Sequence, residues 1–399
     1  LLEEGKVSEM VRFQSDYLRA TDPHFIRYTG VGDSLFIANT SQVPYGKEEG
    51  DVKQYKTGGF INITGSALTL KFEVEIGDGE GKYSGDYTTP DGKEAEHANQ
   101  VSTSYVANQL VESLKAKEGF DDNFDIWVEG SQIFVKSKHN RVIRIVPKTA
   151  KIYMDTSLGG HLTNAGSLPA TLPPSADGLI LAVGKAGGQP TYFKYEAKDS
   201  KWVEDSLPGS YTHVYNMPVE VYWDGTSWIL DDSPYGGRLS GDEDTNPDPE
   251  FIDWGITGIS SYQGRLVILS GSWVYLSASQ DPKQFYRITV EELLDSDPIG
   301  IGSSSAGSAN FQYGLVFNKD LLLFSPEHQA LIPGLNQAVT PKNAHILVTS
   351  TYTADMLSSP VTLGSSVMYP FPRSQSHFGI LEMIPSVYTD SMYSSVDAS

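Results

Sequence analysis

"GRLVILSGSWVYLSAS" (264–279) holds the reading on which the fold turns. Two apolar runs rich in β-branched and aromatic residues flank a Gly-Ser turn, which is the pattern of a hairpin. The same unit, an apolar strand, a turn and a second strand, recurs as "LVFNKDLLLFSPEHQALIPG" (315–334) and "GSSVMYPFPRSQSHFGILEM" (364–383). Spacings of about 40–50 residues between such units predict propeller-like blades.

Upstream the chain continues in short strands. "DSLFIANT" (33–40) reads as a strand, and "FINITGSALTLKFEVEIG" (60–77) alternates apolar and polar residues as a half-buried hairpin does. "STSYVANQLVESLKAKEG" (102–119) is the one strong helix, with Ser102 or Thr103 as its cap and Gly119 as its stop. Its Val106, Ala107, Leu110, Val111 and Leu114 share a stripe. "FDIWVEGSQIFVKS" (124–137) is a hairpin turning near Gly130.

A Pro-rich joint (167–178) precedes "GLILAVGK" and the hairpins "TYFKYEAKDSKWVED" and "VEVYWDGTSWILDD", which turn at Asp199-Ser200 and Asp224-Gly225. "TVEELL" (289–294), with Thr289 and Glu292 in capping-box spacing, predicts a short helix. The expected fold is mainly β, a propeller-like body carrying an inserted α+β domain. Residues 1–57 form its first part, 58–160 the insertion, 161–215 a β-rich connection and 216–399 the rest of the body.

Composition narrows the function. The 399 residues contain no cysteine, which excludes disulfide frameworks and thiolate zinc sites. The formal net charge of −21 opposes binding to nucleic acid phosphates, so sequence-specific DNA recognition is not expected. No apolar run approaches the roughly eighteen residues of a membrane span, and no stable membrane insertion is expected. No signal peptide opens the chain. The first residue is Leu1, and both ends are expected to be cuts within a longer polypeptide.

"GDEDTNPDPEF" (241–251) concentrates five carboxylates and invites a calcium reading. Asp242, Asp244 and Asn246 occupy positions 1, 3 and 5 of an EF-hand loop and Asp253 position 12, but Pro247 stands where the loop needs glycine. A charged turn stiffened by two prolines is the better reading, with no metal or cofactor. No HExxH and no GxSxG is present; "GSSSAG" (302–307) has one residue too many, and "GDGEG" (77–81) is a turn. "DGTSW" (224–228) is one residue shorter than a sialidase Asp box and reads as a hairpin turn. A pair of acids for glycoside hydrolysis is not marked by any context.

One stretch runs against the overall charge. Between Ser131 and Met154 there is no acid but six bases: Lys136, Lys138, Arg141, Arg144, Lys148 and Lys151. It is either a solvated hairpin face or a docking surface for an acidic neighbour, such as stretch 73–96 of another copy with its eight carboxylates.

The succession "PDGKEAEH", "YFKYEAKDSKWVED", "GDEDTNPDPEF", "GRLVILSGSWVYLSASQDPKQFY" and "DSDPIG" closely resembles the tail nozzle protein (tail tubular protein B) family of short-tailed bacteriophages. Gly241, Asp242, Asp244, Thr245, Asn246, Pro247, Pro249 and Phe251 match its pattern around the acidic turn. Arg265-Leu266, Leu269-Ser270, Ser277 and Phe285 match the next series, and Asp295, Asp297, Pro298 and Ile299 the one after. "PRSQSHFGI" and "SSVDA" continue it. The sequence departs at Glu250, where the family has Ser, at Gln263-Gly264, and at Gly300, where it has Asp.

The resemblance implies a virion protein, assembled in the bacterial host cytoplasm. Six copies would ring the channel through which double-stranded DNA leaves, below the tail adaptor, and carry the tail fibres. It implies a structural turn at 241–251 and no catalysis. The competing reading is a carbohydrate-active or sugar-binding tail protein acting on envelope polysaccharide.

Overall fold

A computed structural model describes residues 2–3, 6–7, 12–49, 54–157, 162, 165–184, 188–303, 309–334, 337–374, 377–386 and 393–398. The fold is mainly β. Three consecutive four-stranded antiparallel meanders end the chain. The first runs Gly258–Tyr262, Arg265–Ser270, Trp273–Leu276 and Ile299–Gly302. The second runs Tyr313–Phe317, Asp320–Phe324, Gln329–Ile332 and Leu347–Ser350, and the third Val361–Leu363, Ser366–Ser374, His377–Pro385 and Tyr393–Asp397.

Alternation explains how these sheets stack. Successive side chains of a strand point to opposite faces. Strand Arg265–Ser270 is buried on both. Its Leu266 and Ile268 join Val31, Phe36 and Ala38 in one core, while Val267 and Leu269 meet Leu321 and Leu323 of the second meander in another. Strand Asp320–Phe324 repeats the device, with Leu322 and Phe324 packed on Val367, Tyr369 and Leu381 of the third. The sheets thus follow one another in chain order, and these two strands are buried throughout because each of their faces meets a neighbour. Gly258 lets the first two meanders approach, since a Cβ there would lie 2.2 Å from the Gln312 carbonyl oxygen.

The early chain completes this body. Strand Ser34–Asn39 pairs with both Ile26–Val31 and Val219–Trp223, and Tyr45–Lys47 pairs with His213–Tyr215. Strands Leu179–Val183, Thr191–Glu196 and Lys201–Asp205 form a separate sheet with Gln54–Tyr55. Between these segments lies a core of its own, drawn from Ile61 to Met154. Helix Thr103–Lys115 caps it, its N-terminus held by the Ser102 hydroxyl accepting from the Tyr105 amide at 3.3 Å. Val106, Ala107, Leu110, Val111 and Leu114 are its buried stripe, as the sequence predicts.

Three expectations are corrected. The run 60–77 is not one hairpin: Gly58–Ile63 lies in a sheet with Gln132–Ser137, and Lys71–Gly77 pairs with Lys82–Thr88 in another. Residues 289–294 form bends, not a helix. The Thr289 hydroxyl accepts from the Glu291 amide, and Asp297 accepts from the Leu294 amide, so local side chains take the donors a helix would need. The helix after 102 ends at Lys115, and Gly119 (φ 80°) instead opens a further turn, Phe120–Asn123. "GSSSAG" falls largely outside the described residues. No described helix is long and apolar enough to cross a membrane.

Lys283 ties two parts of the body together by pairing with Glu220 at 3.0 Å and with Asp231. Burial opposes the charge on Asp231, but hydrogen bonds from Lys283 and Ser233 outweigh it, taking its pKa from 3.8 to about 2. A depressed carboxylate stabilises the fold above its unfolded pKa and loses that contribution as pH falls through the folded one. Urea midpoints should therefore drop between about pH 4 and pH 2, and drop less steeply in Asp231→Asn. Parallel curves for the two proteins would contradict the assignment.

Candidate functional site

The acidic turn is organised by a buried base. Arg238, 6% exposed, donates from Nε to the Asn246 carbonyl at 2.7 Å and from Nη1 to Ser210 Oγ at 3.0 Å. Its Nη2 pairs with Glu243 and with Asp248 Oδ1, the latter at 2.7 Å. The Tyr286 hydroxyl donates to the same Asp248 oxygen at 2.8 Å. Burial pushes the Asp248 carboxyl up and Glu243 adds to this, while Tyr286 and Arg238 oppose it. Arg238 is the sole Lys or Arg between Lys201 and Arg265, and that isolation was the signal available in the sequence.

Asp242 closes the turn. Its Oδ1 accepts from the amides of Asp244 and Thr245 and from the Thr245 hydroxyl at 2.9–3.2 Å, an Asx-type turn. Its Oδ2 accepts from Tyr192 at 3.0 Å. Burial disfavours the charge, yet these donors hold the pKa below the ordinary carboxylate value. Gly241 sits at φ 74°, and a Cβ there would meet Thr245 Oγ1 at 2.3 Å. Asn246, 3% exposed, donates to the carbonyls of Ser240 and Arg287 and accepts from the Arg287 amide at 2.9–3.0 Å.

Pro247 and Pro249 lead into Phe251, fully buried edge-on against Tyr275 at 5.2 Å and Phe285 at 5.3 Å. Asp244 alone among the motif's matched acids stays exposed. The turn is thus a joint. One end grips the sheet of Tyr192 and Asp205, whose carbonyl accepts from the Gly241 amide at 3.2 Å, and the other is anchored in the body core. Because Asp242 is engaged by Thr245 and Tyr192, and Glu243 and Asp248 by Arg238, added calcium should leave the melting temperature unchanged. A calcium-dependent rise abolished by Asp244→Ala would overturn this.

Two further sequence motifs meet in space. Arg265, 4% exposed, donates to the carbonyls of Ser277 and Asp297 at 2.7 Å and of Asp295 at 2.9 Å. The series around 265 and the "DSDPIG" segment are therefore one clamp. Burial lowers the Arg265 pKa, with nearby Asp297 opposing.

The basic stretch divides. Lys138 pairs with Asp125 at 3.5 Å, Arg141 with Asp78 at 3.2 Å and Glu80 at 2.9 Å, and Lys148 with Glu75 at 3.1 Å. Asp78, Glu80 and Glu75 belong to stretch 73–96, so that stretch meets Arg141 and Lys148 within one chain. Lys136, Arg144 and Lys151 form no ion pair among the described residues.

A family model described as the bacteriophage nozzle protein matches residues 3–399. The chain is 26% identical over 379 residues to the tail tubular protein gp12 of Escherichia phage T7, an alignment covering 90% of this chain and 46% of that relative. The chain spans about half the length of the curated relative it matches. With the match running across nearly its whole length, the chain belongs to the bacteriophage nozzle protein family, structural proteins of the phage tail.

Proposed function

We propose that this chain is part of a hexameric nozzle whose six copies ring the channel for genome ejection, below the tail adaptor and bearing the tail fibres. The family match over residues 3–399 carries this reading. In it the stacked meanders are blades of a propeller-like body, and 58–160 is a domain inserted into that body. The role is architectural and needs no cofactor. A charge of −21 suits a channel wall, because DNA must pass without Lys and Arg contacts that would hold it. A mass measurement on the assembled protein tests the reading. Six-fold particles without sugar turnover are expected; a monomer that degrades envelope polysaccharide would overturn it.

The basic stretch supports assembly in this reading. A cyclic ring uses head-to-tail contacts, so a basic face can meet an acidic one. With Lys138, Arg141 and Lys148 engaged internally, the docking role falls to Lys136, Arg144 and Lys151. Each rim contact contributes about 0–1 kcal/mol, which sets registration and rate more than affinity. Reversing all three to Glu should slow assembly, most at low salt, and leave the fold intact. Unchanged assembly rates at low ionic strength would make the stretch a solvated face.

A further inference from the structure

A cleft of about 270 Å³ opens beside the acidic turn, between Pro247, Pro249, Glu250, Trp273, Arg287 and Ile299. Its wall is aromatic. Trp273 and Tyr275 lie on adjacent like-facing positions of one strand, stacked with centroids 5.9 Å apart and planes 16° from parallel. The partner strand makes this possible: Gly302 pairs with Trp273 and Gly300 with Tyr275. Cβ atoms there would lie 3.1 Å and 2.9 Å from the two rings, so the glycines let the rings lie flat on the sheet. Trp273 keeps 37% of its surface exposed.

Polar groups stand beside that face. The Tyr275 hydroxyl accepts from the Glu250 amide at 2.8 Å, which fixes the Glu250 backbone next to the stack. The Glu250 side chain is exposed and forms no hydrogen bond or ion pair among the described residues. Arg287 donates to the Glu292 carbonyl at 2.7 Å and lies 3.4 Å from Asp297, so its charge is compensated. Glu250 and Gly300 are two of the positions at which this sequence departs from the family pattern, and both line the cleft.

We propose that this cleft binds one neutral hexopyranose unit of a glycan. A pyranose presents a flat C–H face suited to the electron-rich face of Trp273. Its hydroxyls donate to Glu250, a free acceptor of several hydrogen bonds. The uncompensated carboxylate disfavours anionic sugars. The volume lies below the ~300–1,000 Å³ of sites for larger ligands and suits a single ring. The proposal is of binding alone; Asp248, the neighbouring acid, accepts from Arg238 and Tyr286 through Oδ1.

The test is saturation-transfer NMR on the protein with maltotriose, cellotriose and mannotriose in turn. At least one should give transfer to its ring C–H protons at millimolar concentration, with no change in chain length over days. Trp273→Ala should weaken that binding about tenfold, and Glu250→Gln, at an exposed position, should weaken it severalfold while the melting curve stays as in the parent. No transfer with any of the three sugars would overturn the proposal, as would transfer unchanged in both variants. If Trp273→Ala does not fold, Glu250→Gln decides alone: unchanged binding overturns the site.

Discussion

Arg238→Met should destabilise the protein by about 3–5 kcal/mol, the cost of removing one partner of a buried charge cluster. The substitution keeps length and apolar volume but leaves Asp248 half-buried without its counter-charge, and leaves Ser210 and the Asn246 carbonyl short of donors. Glu243→Gln provides the contrast. That side chain is 63% exposed, so losing its charge should cost no more than about 1 kcal/mol. Denaturant midpoints at equal slope give both numbers. Near-equal costs would mean that the turn is held by its own backbone and Asp242, with Arg238 a bystander.

Arg265→Leu is expected to have a loss of similar size. Its guanidinium serves three carbonyls, those of Ser277 and Asp297 in buried contacts and that of Asp295 in a partly buried one. Each buried group left without a donor costs about 1–3 kcal/mol, so a total of about 3 kcal/mol or more follows after local relaxation. Lysine should not rescue it, since a single ammonium on a flexible stem cannot span three acceptors as a planar fork does. A stability within about 0.5 kcal/mol of the parent, the range of an ordinary surface change, would show that the clamp contributes nothing.

Both arginines mark where the sequence stops being readable. Period-two alternation marks the half-buried strands and continuous apolar runs mark those buried on both faces; the hairpins at Gly130, Asp199 and Asp224 follow from turn chemistry. Alternation does not name the partner of a strand. Residues 58–63 and 71–77 both read as half-buried, yet they pair in different sheets, a choice made by contacts with 124–137 and 144–147 far along the chain. The failed helix at 289–294 is a case of scale. Six residues cannot repay the cost of nucleating a helix, so hydrogen bonds from the Glu291 and Leu294 amides to the Thr289 and Asp297 side chains prevail.

The acidic turn was legible as structure, since Pro247 rules out a glycine-dependent calcium loop. Its centre was not. A buried arginine is invisible to patterns that score neighbours, because Ser210 and Tyr286 are brought to Arg238 and Asp248 from distant segments. The same holds for the cleft. Trp273, Gly300 and Glu250 lie on three segments, and only sheet pairing and the Tyr275 hydroxyl make them adjacent.

The central claim, that this chain is wall material of a DNA channel, is tested most directly by imaging the assembled phage tail at side-chain resolution. The account predicts six copies around the axis, with the stacked meanders as built and a lumen-facing surface that carries more Asp and Glu than Lys and Arg. A ring of another order, or a lumen lined mostly by bases, would contradict it.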